Sequence, residues 1–498
     1  MIHKLYSLVD TKVKTKEPLY IRGVNRRSGG TILLNKGEVL DFTTYFNSVS
    51  LKKWRRYTTI ERLQLVLHLK GIFQITFHLY DENRTVHKIS IETCDSVFVH
   101  SFSMAELEGV LLGFTLQCFS DTGVYSGGEW EGQFCQWNDQ KIGISITTFK
   151  REKYVKRTMK VLQDFQRDHP WLSVLVVDNG RTLQEVDCKR FRVIHNRNYG
   201  GSGGFARGMI EYVEHGKVNY VLLMDDDIVL ETSALERTFS LLSGVKKEYV
   251  ESFLAGAMLS MEKPTNQYEN TACWKKIRIQ GEGKNLNLIN VNNLLKNEIV
   301  PSQKNRYGAW WFCCIPVQRI KDIGYPLPIF IKGDDLEYGI RNHREVISMN
   351  GIGVWHQSLQ FKINPVVNYY SDRNMLMINN YADDCNFLTF ILAVIGRIIR
   401  RILEGNKIGI RCLTQALIDY NKGLTGITAV SSEEKMNQIL FMVKESVSWS
   451  VYKDLLVNFI RVLSDYKKVH KNYITFRNQL LKSNTFWSVF LGIRGENE

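Results

Sequence analysis

The sequence predicts an α/β protein in three parts. An antiparallel β-sandwich or barrel spans residues 1–137, an α/β domain with a mostly parallel sheet spans 138–385, and a basic helical part spans 386–498. Three observations carry this expectation. Period-two alternation in short runs stops near Trp137; from Lys141 strongly apolar strands alternate with helical stretches; from about Asn386 apolar residues recur at helical spacing.

In the first part the alternating runs are TILLNKGEVLDF, LQLVLHLKGIFQITFHLY and HKISIET, separated by polar or glycine-containing turns. The second part reads GISITTF, a helix near Tyr154 to Asp168, LSVLVVDNG, FRVIHN, a helix near Phe205 to Glu214, then YVLLMDDD. Strands as apolar as VLVV and VLLM need cover on both faces, which parallel sheets receive from their crossover helices. The third part carries an S-x-x-E capping box at Ser431 and Glu434, with amphipathic spacing onward to Asn478. Its first segment, FLTFILAVIGRIIRRILEG from Phe387 to Gly405, interleaves Ile/Leu pairs with Arg397, Arg400 and Arg401. That pattern suits an interfacial helix on anionic lipid and, equally, a packed helix with a basic outer face.

Composition narrows the class. A chain of 498 residues exceeds one ordinary core, and 44% hydrophobic with 23% charged residues is a globular balance. The net charge of +14 favours an anionic partner. The charge is dispersed and no nucleic-acid module is present, so nucleic acid is set aside in favour of an acidic membrane or a phosphorylated substrate. Nine cysteines without CxxC pairs make neither a disulfide nor a zinc framework, and Cys313 and Cys314 read as reduced core residues. The N-terminal stretch lacks a signal-peptide core, and no apolar run reaches the roughly 20 residues of a spanning helix. The expected location is cytoplasmic.

Five motifs carry candidate chemistry. YVLLMDDDI ends an apolar strand on Asp225, Asp226 and Asp227, three like charges that repel unless a cation sits among them. In extended chain Asp225 and Asp227 share one face, which suits a hard divalent ion, while Asp226 points the other way; the alternative is a solvated acidic turn. Asp334, Asp335 and Glu337 open a predicted helix, either as helix-start acids favoured by the dipole or as a general base. GIGVWH ends a short strand on His356, a core histidine or a third metal ligand. NRNYGGSGGFARG imitates a dinucleotide fingerprint, yet it follows the third strand of its unit, and a ribose needs one acid, not three. A flexible loop and helix N-terminus approached by a diphosphate is the other reading. GAWWFCCIP places Trp310 and Trp311 as core or as a platform for a sugar's C–H face.

Taken in order, these motifs resemble those of the GT-A (Rossmann-like) glycosyltransferases of family 2, and within them the bacterial galactofuranosyltransferases that build surface galactans. The resemblance is clear from Tyr125 to Tyr381. It implies Asp225, Asp227 and His356 as ligands of Mn²⁺ or Mg²⁺, and Arg151, Asp178, Asn198 and Asp226 as contacts of a UDP-sugar donor. It further implies Asp335 as catalytic base supported by Asp334, and Trp310, Trp311 and Glu269 at the acceptor. The reaction implied is inverting transfer of galactofuranose to a lipid-linked cell-surface glycan, by an enzyme peripheral at the inner face of the cell membrane; a homo-oligomer is compatible with it. Two rival readings stand beside it: a same-fold transferase using a rhamnosyl or glucosyl donor, and a non-catalytic carbohydrate-binding scaffold. The sequence departs from the family pattern at Lys150, where the first motif has Asn, and at Gly333, where relatives carry Trp before the acid pair.

Overall fold

The computed structural model describes residues 1–498 apart from 24, 25, 29, 94, 95, 276, 303, 359–363, 384, 446, 447, 483–485 and 494–498. The fold class is α/β, with an all-antiparallel β region first and helices last.

The β region is a sandwich of two sheets. One is built around Thr122–Phe134, which pairs with Ile2–Ser7 and Ile60–Lys70; the other around Leu111–Cys118, which pairs with Phe73–Tyr80. Alternation dictates which residues meet: Leu63, Leu65 and Leu67 of one sheet, and Phe73, Ile75 and Phe77 of the other, are buried in one cluster.

The central sheet has eight strands. Phe191–His195, Leu172–Asp178, Ile142–Thr148 and Tyr220–Asp225 run parallel, and Cys313–Pro316 runs antiparallel beside the last. Register sets Thr148 beside Asp178 and Thr147 beside Asp225, so the ends of the parallel strands gather polar groups along one edge, where ligands of α/β sheets bind.

The helix predicted from Phe205 begins five residues earlier, at Gly200, so the glycine-rich stretch is helix and not a flexible loop. A Cβ on Gly204 would lie 2.1 Å from Thr147 Cγ2, and one on Gly208 1.8 Å from Ser145 Oγ. The glycines therefore let the helix lie directly on the central strand.

The cores cross the boundaries that composition suggests. One apolar cluster runs from Leu5 to Val354. Arg237, buried, stacks on Tyr6 and bonds the carbonyls of Phe46 and Gly351, joining the sandwich to the α/β part. A second cluster joins Tyr307, Leu336 and Ile340 to Leu413, Leu417 and Tyr473 of the C-terminal helices.

Phe387–Leu403 is a packed helix whose polarity runs opposite to a basic outer face. Arg397 and Arg401 turn inward to share the carboxylate of Asp372, each at 3.3 Å, while Leu388, Leu392, Ile399 and Leu403 are exposed. A buried Asp372 requires a cation, and the helix supplies two. No described helix is long and apolar enough to cross a membrane.

Candidate active site

At the sheet edge a cavity of about 2000 Å³ opens between the α/β part and the C-terminal helices. It is about twice the upper end of the ~300–1,000 Å³ that one small ligand occupies. Both acidic motifs line it.

Strand Tyr220–Asp225 is buried along its length until it emerges at Asp225, delivering the acid triplet to the cavity. Strand Gly353–His356 brings His356 to the same point: its Nε2 lies 3.6 Å from Asp225 Oδ2 and 3.2 Å from Asp227 Oδ1. The other ring nitrogen, Nδ1, lies 2.6 Å from the Gln357 carbonyl, which can only accept; Nδ1 therefore donates there, leaving Nε2 as the nitrogen available to a metal ion. One ligand atom from each of Asp225, Asp227 and His356 falls within 4.8 Å of the others. Two carboxylate oxygens and an imidazole nitrogen make a donor set for a divalent metal ion. Asp226, in the turn just past the strand, also lines the cavity and accepts from the Thr148 hydroxyl at 2.7 Å; burial pushes its carboxyl up to about 7. Arg151, at the start of helix Glu152–Asp168, pairs with Asp227 and lies 3.6 Å from Asp226.

The second acid pair is held differently. The chain reaches it through Phe330, Lys332 and Gly333, all at positive φ (74°, 67° and 86°). Helix Asp334–Asn342 then begins directly at the acids. Asp335 Oδ1 accepts from the Leu336 N–H at 2.7 Å, and both carboxylates open onto the cavity. Burial raises both, Asp334 further through the charge on Asp335; the Leu336 N–H and Lys332 pull Asp335 back down. Gly333, where relatives have Trp, is fixed by this geometry: besides its φ, a Cβ there would meet Met375 Cε at 2.8 Å and Ile378 Cδ1 at 2.9 Å.

Trp310, Trp311 and Glu269 line the cavity as well. The two indoles are largely buried; Trp311 donates to the Gly256 carbonyl at 2.9 Å, and Trp310 meets Phe205 and Tyr338 edge-on. Burial raises Glu269 to about 7, with the Asp335 charge adding to it. Asn198 faces the cavity and accepts from the Gly200 N–H at 3.2 Å.

Asp178 departs from expectation. It is fully buried, and its carboxylate accepts from the N–H groups of Gly180, Thr182 and Leu183 at 2.6–2.9 Å, so it shapes the turn after its strand and does not reach the cavity. Sequence reasoning missed Lys332, Tyr268, Tyr307 and Asp372, all of which line the cavity. Only Lys332 left a trace, as the cation beside the acid pair in IFIKGDD; the others become neighbours of the site through packing alone.

Two parts of the chain match known families. Residues 140–354 match the family described as "Glycosyltransferase like family 2", and residues 6–128 the family described as "Galactofuranosyltransferase 2 N-terminal". Two curated relatives, both called galactofuranosyltransferase GlfT2, come from Mycobacterium tuberculosis and Mycolicibacterium smegmatis. They are 27% and 23% identical to this chain, each over 68% of its length. The matches span 58% and 57% of those relatives. Among solved structures, S. aureus TarS 1-349 in complex with UDP is 13% identical, covering 66% of this chain and 91% of that one, at a TM-score of 0.34. A mannosyltransferase from Pyrobaculum calidifontis in complex with GDP-Man and Mn²⁺ is 10% identical, covering 70% and 88%, at a TM-score of 0.31. Residues 140–354 thus carry a family 2-like glycosyltransferase domain, and residues 6–128 a domain of the galactofuranosyltransferase 2 N-terminal type.

Proposed function

We propose that the protein is an inverting, metal-dependent glycosyltransferase that moves galactofuranose from UDP-galactofuranose to a lipid-linked surface glycan. The observation that carries this reading is the meeting, in one cavity, of the Asp225, Asp227 and His356 group with the acid pair Asp334 and Asp335. When bound, Mn²⁺ or Mg²⁺ would neutralise the donor diphosphate and stabilise the departing UDP. Asp225, Asp227 and His356 would hold that ion, and Arg151, paired with Asp227, adds a fixed positive charge beside them. Asn198 and Asp226 border the donor. Asp335 takes the proton from the attacking acceptor hydroxyl, and its raised affinity for protons suits it to that task near neutral pH. Asp334 supports it electrostatically, and Trp310, Trp311 and Glu269 wall the acceptor. Attack from the face opposite the leaving UDP inverts the anomeric centre.

The exposed stripe of Leu388, Leu392, Ile399 and Leu403 favours an acceptor that resides in a membrane. Because the C-terminal helices share a core with the acid-bearing helix, this is tested with Leu392→Glu and Ile399→Glu, not with a truncation. Pelleting with anionic vesicles should fall in the double variant, and unchanged pelleting rejects the membrane role.

The activity is tested by metal-dependent nucleotide release from a panel of UDP- and TDP-sugars. Release from UDP-galactofuranose alone, abolished by EDTA, supports the full reading. Release from another sugar changes the donor, and silence with and without acceptor points to the carbohydrate-binding scaffold.

A further inference from the structure

The two short strands that bring Asp227 and His356 together are met, behind the cavity, by residues of the first part of the chain. After the acid triplet the chain turns into Val229–Leu230, which pairs antiparallel with Gly353–His356, Val229 opposite Trp355 and Leu230 opposite Val354. That register ends the ladder with Asp227 and His356 side by side, their nearest oxygen and nitrogen 3.2 Å apart. Neighbours on a strand face opposite ways, so the indole of Trp355 is turned from the side on which His356 meets the acids. Trp355 is 1% exposed and donates to the Pro264 carbonyl at 2.9 Å. Against its ring lie Lys16, whose Nζ is 3.6 Å from the ring centre, Phe46 at 5.6 Å between centroids, and Tyr20, nearly parallel at 6.4 Å. Tyr20 also reaches the other strand: its hydroxyl donates at 2.6 Å to Glu231, the residue after Leu230. Burial raises the Glu231 carboxyl, and the Tyr20 hydroxyl, the Ser233 N–H and the Lys16 charge pull it back down.

We infer that Tyr20 and Lys16 are positioning residues for the metal-ligand group: they clasp the two strands that carry it, one through Glu231 and the other through Trp355, and so hold Asp227 and His356 at ligand spacing. The inference rests on the metal-binding reading of Asp225, Asp227 and His356. An apolar ring at position 20 would fill the same space beside Trp355 and Phe46, whereas the hydroxyl adds a directional, charge-assisted tie to a residue 211 positions away. The β-sandwich thereby acts on the site without lining it, since Lys16, Tyr20, Glu231 and Trp355 are not among the residues around the cavity. Partners that hold a ligand directly are worth ~10–100-fold in metal affinity; Tyr20 and Lys16 act through a neighbouring residue, so the pair should be worth less, at least ~3-fold.

The test is a titration of the full-length chain with Mn²⁺, the free ion being read by its electron paramagnetic resonance signal, with the thermal unfolding midpoint recorded for each protein. Wild type is compared with Tyr20→Phe, Lys16→Met and the double variant. Tyr57→Phe is the control, because it removes a hydroxyl-to-glutamate bond of the same kind between the same two parts of the chain: Tyr57 donates to Glu345 at 2.5 Å, and neither residue lines the cavity. Mn²⁺ affinity should fall at least ~3-fold in the double variant and keep its wild-type value in Tyr57→Phe, whatever the midpoints do. Where the double variant fails to fold, Tyr20→Phe alone carries the test, because its ring and packing remain. Unchanged affinity in the variants reduces Tyr20 and Lys16 to packing and overturns the inference. An equal loss in Tyr57→Phe assigns the effect to a loosened interface and also overturns it. His356→Ala separates this from the reading beneath it. Wild-type binding that is absent, or that survives His356→Ala, refutes the metal group and the inference with it, whereas binding lost there and unchanged in the double variant refutes the positioning alone.

Discussion

The two acidic clusters of this protein solve the same electrostatic problem in opposite ways. At the end of strand Tyr220–Asp225 three carboxylates sit with Arg151, the Thr148 hydroxyl and His356, and Asp225, Asp227 and His356 have the spacing of a metal-ligand group. At the start of helix Asp334–Asn342 two partly buried carboxylates line the cavity with backbone N–H groups and Lys332 near them, and burial raises the proton affinity of both. In the first cluster Arg151 and His356 face Asp227 while burial raises Asp226; in the second, Lys332 and backbone N–H groups only partly offset the burial of both acids. The sequence alone, D-D-D against D-D, does not distinguish these outcomes.

The largest test breaks the second cluster. Asp335→Asn should lower kcat by ~10²–10⁴-fold with UDP-sugar binding unchanged, since it removes a proton acceptor and not a ground-state contact. Near wild-type turnover would reject the assignment. Because the base works ionised and its proton affinity is raised, wild-type kcat should climb with pH on a limb above the ordinary aspartate range. A limb centred near pH ~4 would contradict the burial argument.

Glu269 sharpens the same side of the comparison. Folding raises its carboxyl to about 7, so ionising it costs folded-state stability. The sign follows: the cost is absent below the unfolded value near pH ~4, grows as pH rises, and is complete above about pH 7 at up to about 3 kcal/mol. Glu269→Gln should therefore unfold at higher denaturant than wild type at pH ~8 and at equal denaturant at pH ~4. A gain independent of pH would show that charge burial is not the cause.

On the first cluster, His356→Ala should weaken apparent Mn²⁺ affinity by at least the ~10-fold typical of even outer-sphere losses, with activity regained at high Mn²⁺. An unchanged metal titration would remove His356 from the ligand set. The smallest effect is expected at the hinge that presents the acid pair. Gly333→Ala places a Cβ at φ 86° against Met375 and Ile378 and should lower stability by ~1–2 kcal/mol in a denaturant titration. No loss would mean that the turn can relax, and that the Trp of the relatives could be accommodated there.

Local chemistry determined what the sequence could declare. Period-two and continuous apolar runs fixed the β-sandwich and the α/β sheet, because burial on one or both faces constrains every residue of a strand. A strand as apolar as YVLLM ending on DDD pointed to a metal-ligand group, and the structure gathers Asp225 and Asp227 with His356 there. The tertiary structure decided the rest. It decided that Asp178 spends its carboxylate on backbone N–H groups, that the glycine cluster is the seat of a helix on Ser145 and Thr147, and that Arg397 and Arg401 face inward. In each case the partner lies far off in sequence or in a turn no period encodes. The spacing of residues fixes which face a side chain takes, whereas what that face meets is settled only when distant segments pack.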